Sequence, residues 1–424
     1  MLCYFFPPIG GGGVQRSVKF AKFLPSGGWK PVVVAAQPNA RSAIDQGTDS
    51  SLYAEVPGDL TITRARSFDF SLVYALLHRM HARSLLMTAE RVFPTMHVNY
   101  KMGWYPSAIR AARRMIAEHG AQVLYSSSPP HSAHLVARRL RRQYGLPWVA
   151  DFRDAWTQLA TYRPPTRVHA RLERWLEGGI LHHADAIIAN TPRNKAAMVE
   201  QFGIDVAKVH VIPNGFDPQD FESAPEPTAK SRFVVSCLGN FYAMPDPAVF
   251  FQAFRRFTDV HPEAHLRLFG WHARSVRAAA AGFLRAGSWE HSGRVDHPRA
   301  VHVMRTSAVL LANVPNEQAS HWVPGKLYEY LAAGRPILFI GPPDGDAAEI
   351  IRATRTGSVV PNEEAAIFGA LEEFHRLWRK DLSAWRPDVA AINRFDRRMQ
   401  AQYLSQILRN LRDSCPQMPG DWPA

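Results

Sequence analysis

Short apolar runs alternate with amphipathic stretches along most of the chain. Leu2–Phe6 is apolar and ends in Pro and Gly, Val14–Leu24 follows with helical spacing, and Pro31–Ala36 is a β-branched run suited to a buried strand. Val123–Ser126, Pro147–Asp151, Ala186–Asn190 and Val209–Ile212 predict further strands, with a helix from about His131 to Tyr144. Short apolar strands between amphipathic helices indicate a parallel sheet covered by helices on both faces. Residues 214–230 break the pattern: they are mostly polar, carry Pro218, Pro225 and Pro227, and read as a linker. Beyond them the alternation restarts. Strands are predicted at Phe233–Leu238, His265–Phe269, Ala308–Leu311 and Ile337–Ile340, and helices at Pro247–Phe257, Ser275–Leu284, Lys326–Ala333 and Ala347–Thr354. We expect two α/β domains, 1–220 and 232–390, joined by a linker at 221–231 and separated by a cleft. A last helix near Phe395–Leu411 lies in a C-terminal segment, 391–424, expected to pack back on the first domain. In such sheets ligands bind beyond the carboxyl ends of the strands.

Composition narrows the class. With 424 residues, 46% hydrophobic and 21% charged, the chain is long enough for two or three globular domains and is not a disordered polyanion or polycation. The formal net charge of +13 attracts anions such as nucleotide diphosphates, nucleic acid or an acidic membrane surface. No aromatic platform interleaved with basic residues supports nucleic acid. Cys3, Cys237 and Cys415 are too scattered for a metal site or a disulfide scaffold, which fits a reducing cytoplasm. No stretch of about 18 apolar residues predicts a membrane span. The first residues lack the basic region and long apolar core of a secretory signal, and their short lead-in suggests a natural start a residue or two upstream.

Four segments carry candidate chemistry. Gly10-Gly11-Gly12-Gly13 lies between a strand and a helix, where glycines let backbone N–H groups approach an anion; a plain turn is the alternative. No Lys-Ser/Thr follows it, so it is not a P-loop, and no final Gly supports a nicotinamide site. Ser126-Ser127-Ser128-Pro129-Pro130-His131 follows a strand: Ser128 and His131 can bond sugar hydroxyls or phosphate, or serve as a helix cap and a surface residue. Asp151-Phe152-Arg153-Asp154 can orient an acceptor hydroxyl or form an internal ion-pair network. Most informative is the stretch from Trp322 to Ile337. Pro324 and Gly325 start a helix, Gly334 ends it, and Lys326 and Glu329 share a face. Lys326 at the helix start is placed to meet a diphosphate, and Glu329 one turn on to accept from a ribose diol; a surface ion pair is the alternative.

Taken in order, these segments resemble the bacterial GT-B glycosyltransferases of the retaining, family-four-like kind found in polysaccharide and lipopolysaccharide synthesis. The likeness also takes in Ala184–Thr191, Val211–Asp217 and Gly239-Asn240-Phe241-Tyr242. It implies two Rossmann-like domains, a nucleoside-diphosphate-sugar donor held mainly by the C-terminal domain, and a saccharide or lipid-linked acceptor held mainly by the N-terminal one. The donor-binding residues it implies are Gly11, Gly12, Gly13, Gly239, Asn240, His321, Gly325, Lys326, Leu327 and Glu329. Lys326 matches a diphosphate contact, Glu329 the ribose carboxylate, and His131 a residue near the transferred sugar; Lys326 and His131 are the candidate catalytic residues. Ser128, Asp151, Arg153 and Asp154 are the acceptor-side candidates. The chain departs from the family twice. His321 stands where the family has the first Glu of Glu-x7-Glu, and Tyr242–Asp246 lacks the usual basic pair.

Cations and backbone amides can stabilise a departing diphosphate without a metal, and no Asp-x-Asp near a strand end is read that would demand one. We therefore expect no cofactor and no metal. A sugar-nucleotide epimerase or hydrolase and a non-catalytic binding subunit are the alternatives on the same fold. The segments Leu135–Gln143, with four arginines, and Phe70–Phe93 mix basic and apolar residues. Either can lie on an anionic bilayer, giving a cytoplasmic protein peripheral to the inner face of the plasma membrane, or present an ordinary solvated face.

Overall fold

The computed structural model describes residues 1–10, 12–38, 50–67, 102–158, 162–222, 232–242, 246–270, 272–314, 319–380 and 385–414. Two all-parallel sheets organise them. The first contains β1 (Leu2–Cys3), β2 (Val32–Ala36), β3 (Thr61–Ala65), β4 (Leu124–Ser128), β5 (Trp148–Phe152), β6 (Ala186–Ala189) and β7 (Val209–Val211), in the order β3-β2-β1-β4-β5-β6-β7. The second contains β8 (Phe233–Leu238), β9 (Ala264–Phe269), β10 (Trp289–Ser292), β11 (Val309–Asn313), β12 (Ile337–Ile340) and β13 (Gly357–Val360), in the order β10-β9-β8-β11-β12-β13. The expected fold class, two α/β Rossmann-like halves, is what these sheets show.

Helices connect the strands. In the first half they are α1 (Gly12–Phe23), α2 (Tyr105–His119), α3 (Ser132–Tyr144), α4 (Arg167–His183) and α5 (Pro192–Phe202). The second half has α6 (Ala248–Val260), α7 (Arg274–Phe283), α8 (His297–Thr306), α9 (Gly325–Ala333), α10 (Asp346–Thr354) and α11 (Glu364–Lys380), and α12 (Arg397–Ser414) ends the described chain. Local chemistry sets their ends. The side chain of Thr166 accepts from the His169 amide to start α4, and Thr191 accepts from the Asn194 amide to start α5. Helix α6 shows why the sequence folds this way: Phe250, Phe251, Phe254 and Phe257 lie on one face and are wholly buried against the second sheet. Each such ring contributes on the order of 2 kcal/mol by leaving water.

The chain divides into two compact units: Met1–Asn214 with the stretch from Gln400 onward, and Gly215–Met399. Ala401, Leu404, Ile407 and Leu408 of α12 join a core of the first unit, where Trp29 Nε1 donates to Ser405 Oγ at 3.1 Å. The boundary falls at Asn214 rather than at 220 because Phe216 and Phe221 are buried in a core of the second unit. Most of the expected linker, 223–231, lies outside the described residues.

Strands β3, β10 and β13 escaped the hydrophobic pattern. Each is at a sheet edge, and their residues (Thr61-Ile62-Thr63-Arg64 and Trp289-Glu290-His291-Ser292, for example) are mostly half-buried or exposed. An edge strand has solvent on one flank and needs no continuous apolar run. No described helix is long and apolar enough to cross a membrane.

Candidate functional site

Each sheet has a point at which the strand order reverses, between β1 and β4 in the first and between β8 and β11 in the second. In doubly wound sheets the loops beyond the carboxyl ends at such a point form the ligand crevice. All four segments singled out from the sequence lie in such loops or at their flanks.

In the second unit, Lys326 stands in the first turn of α9. Its Nζ donates to the Asn240 carbonyl at 2.8 Å and lies 3.2 Å from Cys237 Sγ, so the ammonium sits at the carboxyl end of β8. Gly239 and Asn240 are exposed there. Pro324 precedes α9 without a side-chain cap, and the first turn-closing bond is Leu327 N–H to the Pro324 carbonyl at 2.9 Å. The amides of Gly325 and Lys326 come before it, and with the helix dipole they favour an anion. Leu327 itself gives its side chain to the core. Tyr330, on the buried face of α9, accepts from the Leu238 amide at 2.9 Å and so ties the helix to the end of β8. Gly239 (φ 72°) and Gly270 (φ 116°) end neighbouring strands back to back: a Cβ on Gly270 would stand 3.0 Å from the Cα and carbonyl oxygen of Gly239. Two left-handed glycines therefore leave a floor with no side chains beside Lys326.

Glu329 does not pair with Lys326. Its Oε1 lies 3.1 Å from His297 Nε2, at the start of α8, and both side chains are about a fifth exposed. The surface ion pair held as an alternative for Lys326 and Glu329 is thus not formed. His321 is half-buried in the turn before α9, where neighbouring Trp322 meets the ring of Tyr242 edge-on at 6.1 Å. Beyond β9 the buried His272 bonds His291 at 3.1 Å. Burial, then the neighbouring His291 and Lys326, push its imidazole down to about 4, so it is neutral at pH 7. Contrary to the reading of none near a strand end, an Asp-x-Asp occurs past β12, at Asp344-Gly345-Asp346. Asp346 opens α10 and is 2% exposed, and its amide donates to the Ser320 carbonyl at 2.7 Å.

In the first unit, Gly12 and Gly13 form the first turn of α1; Gly11 lies outside the described residues. A Cβ on Gly13 would stand 3.2 Å from Arg153 Cζ, so the guanidinium covers the glycine turn. Arg153 also bonds Asp154 at 2.6 Å. His131 precedes α3 and stacks flat on Trp156, with ring centroids 4.0 Å apart and planes 4° from parallel. Burial, His134 and Arg153 hold His131 well below the usual imidazole range. Ser128 ends β4 and is 1% exposed; it does not cap α3, whose start has no side-chain cap.

Asp151 is different. Its carboxylate takes two bonds from Arg16, Nε to Oδ2 and Nη2 to Oδ1, both at 2.8 Å, and neither side chain is accessible. Tyr125 and Ser127 also donate to it, and Arg16 reaches on to the Ile212 and Pro213 carbonyls. Of the two readings given to Asp151, the internal ion pair is the one this geometry displays. A carboxylate with no exposed surface is closed to an acceptor. Four residues at these loops had no signal in the sequence: His272, His297, Arg16 and Trp156. Each becomes legible only through a partner far along the chain.

Residues 10–220 match the family model Glycosyltransferase Family 4. The chain carries a family-four glycosyltransferase domain. No curated protein matches the sequence. Among solved structures, the glycosyltransferase is similar to Anabaena Alr3699/HepE in complex with UDP-glucose, with a TM-score of 0.65 at 14% identity over 96% of this chain and 99% of that one. It is similar as well to the lipopolysaccharide outer core galactosyltransferase WaaB, with a TM-score of 0.57 at 13% identity over 96% and 99%. A Listeria monocytogenes protein described as a candidate UDP-N-acetylglucosamine 2-epimerase gives 0.56 at 12% identity over 98% and 97%. At these identities the likeness shows the fold alone, which is GT-B.

Proposed function

We propose that this glycosyltransferase moves a sugar from a nucleoside-diphosphate sugar to a hydroxyl acceptor in cell-surface polysaccharide or glycolipid synthesis, with retention of configuration and without a metal clamp. One observation carries the proposal: the Lys326 ammonium is held at the carboxyl end of β8, 2.8 Å from the Asn240 carbonyl, beside the uncapped start of α9. When the bond from sugar to diphosphate breaks, negative charge grows on the departing oxygen. A fixed ammonium and two helix-start amides stabilise that charge more in the transition state than in the ground state. The acceptor oxygen bonds the anomeric carbon on the face the diphosphate leaves, and its proton passes to the departing phosphate oxygen.

The remaining roles follow the chemistry of each group. Glu329, oriented by His297, accepts from the ribose diol. Gly239 and Asn240 offer open backbone, and His321, in the turn before α9, faces the donor sugar. In the first unit, Gly12 and Gly13 under Arg153 favour phosphate, and neutral His131 bonds a sugar hydroxyl. Arg153 and Asp154 contact the acceptor, whereas Ser128, only 1% exposed, is closed to it as Asp151 is. HepE was solved with UDP-glucose and WaaB is a lipopolysaccharide galactosyltransferase, which supports the donor class and the pathway class by fold. The Listeria relative on the same fold makes epimerisation or hydrolysis the competing reading, and product analysis with and without acceptor separates them.

We further propose that the enzyme works peripherally on the inner face of the plasma membrane. Helix α4 supports this. Arg167, Val168, Arg171, Arg174 and Trp175 are all exposed, Val168 at 64% and Trp175 at 65%, and their spacing puts them on one side. Both glutamates of the helix, Glu173 and Glu177, are buried, so its outer face is cationic and apolar with no carboxylate. Such a face suits an anionic bilayer. The expected basic helix α3 offers less: Arg141 pairs with Asp185 at 2.6 Å and Arg138 lies against Gly179, leaving Arg139 and Arg142 exposed. Phe70–Phe93 lies outside the described residues.

The decisive experiment is Lys326→Ala assayed against UDP-sugars. Turnover is expected to fall by about 10²–10³ with the circular dichroism spectrum unchanged. Wild-type turnover in that variant would remove Lys326 from the scheme.

A further inference from the structure

A cluster of histidine and glutamate side chains lies at the opposite end of the second sheet from Lys326. His261 follows the last turn of α6, Glu263 precedes β9, and Glu372 and His375 stand one turn apart on α11. Their ligand atoms converge. The candidate donor atoms of His261, Glu263 and His375 all lie within 4.8 Å of one another. Glu372 Oε1 is 2.7 Å from His261 Nε2, and Glu263 Oε1 is 2.9 Å from His375 Nε2. The two imidazoles face each other with centroids 3.9 Å apart.

Packing fixes this arrangement. His375 is 6% exposed, set among the rings of Phe233, Phe257 and Trp378 at centroid distances of 5.2–5.7 Å. The other three side chains remain partly exposed, between 18% and 32%, which leaves an entry path from solvent. The amide of Phe233 donates to the Glu263 carbonyl at 3.2 Å, so the cluster sits at the amino end of β8. The six residues of β8 separate it from the Asn240 end by about 20 Å.

We propose that His261, Glu263 and His375, with Glu372 or water as the fourth ligand, form a binding site for a divalent transition metal of the zinc class. With Glu372 as the fourth ligand, two imidazoles coordinating through ring nitrogen and two carboxylates bring a formal charge of −2 to the ion, which balances it. Nitrogen and oxygen donors without sulfur suit zinc and its neighbours, whereas magnesium prefers an all-oxygen octahedron. Donors on a tetrahedral ion with bonds of about 2.0–2.2 Å stand about 3.3–3.6 Å apart, so the hydrogen-bonded pairs at 2.7 and 2.9 Å open to admit the ion while the other donor atoms, all within 4.8 Å, close on it. Because the ligands come from α6, α11 and the turn before β9, the metal clamps two helices to the sheet. It takes no part in sugar transfer.

The test uses the full chain, freed of metal, with zinc chloride alone as the probe in a non-chelating buffer. Calorimetry is expected to show saturable binding near one ion per chain, together with a rise in Tm that magnesium does not reproduce. The partly exposed ligands allow substitution without opening the core, so His261→Gln and the double variant H261Q/E263Q are read in parallel. Each is expected to lose at least about tenfold in zinc affinity while UDP still shifts the melting temperature as in wild type. Absence of saturable zinc binding in the wild type overturns the site. So does zinc binding that the two variants leave unchanged, since the chain's 18 histidines include many outside this cluster that can bind zinc.

Discussion

Asp151 is the residue whose role the fold decides most sharply. Read along the chain it is one acid in an Asp-Phe-Arg-Asp string; in three dimensions it is the buried partner of Arg16, which lies 135 positions earlier. Removing one member of a buried pair leaves the other charge uncompensated, at a cost of about 3–5 kcal/mol. Asp151→Asn is therefore expected to lower the unfolding free energy by about 3 kcal/mol or more in denaturant titration. A loss under 1 kcal/mol would mean that solvent reaches Arg16. Glu177 makes a second prediction. Burial pushes its carboxyl up to about 7, against hydrogen bonds from Thr157 that lower it. The folded state thus binds the proton more tightly than the unfolded chain, where the ordinary value is near 4.5. The stability linked to protonation is complete below about 4.5 and is lost as pH rises through about 7. Glu177→Gln is expected to match wild type at pH 5 and to be more stable at pH 8, by on the order of 2 kcal/mol. Taking the difference between variant and wild type cancels the opposite contribution of His134 and His272, whose depressed imidazoles cost stability as pH falls. An equal difference at both pH values would rule out titration of Glu177 in this range.

At the scale of the element, the candidate donor site is a meeting of strand ends with one helix start. Lys326, Glu329 and the Pro-Gly before them were legible because they are close in sequence and a helix presents residues three apart on one face. The strand floor was not, because it depends on Gly239 meeting Gly270 across β8 and β9. Gly270→Ala tests it. The new methyl would stand 3.0 Å from Gly239 backbone atoms, and the residue would have to hold a φ of 116°. Expected results are a stability loss of about 1–3 kcal/mol and a smaller shift in melting temperature on adding UDP. An unchanged UDP shift would separate this floor from nucleotide binding. Strands β3, β10 and β13 were missed for a related reason: half-exposed edges do not carry the buried-strand pattern, and only pairing with a neighbour defines them.

At the scale of the whole molecule, the net charge of +13 gains direction only once exposure is known. The sequence pointed to α3, yet Arg138 and Arg141 are largely engaged within the fold, whereas α4 turns its glutamates inward and its arginines and Trp175 outward. Flotation with anionic vesicles is expected to carry the wild-type protein at low salt and to release most of it near 1 M salt, where screening shortens to about 3 Å. The double variant R171E/W175A should stay at the bottom of the gradient while keeping UDP binding. Co-flotation equal to wild type would exclude α4 as the contact.

By itself the sequence determined two α/β halves, the glycine turn, and the Lys326 to Glu329 helix start, because strand and helix periodicity and helix-start chemistry are local properties of neighbouring residues. The tertiary structure alone decided which charges are spent on the interior, as with Asp151 and Arg16. It also decided which lone histidines gain a role, His297 beside Glu329 and His261 beside His375, and which helix faces outward with its acids hidden. Those outcomes depend on contacts between residues tens to hundreds of positions apart, and no window along the chain contains both partners.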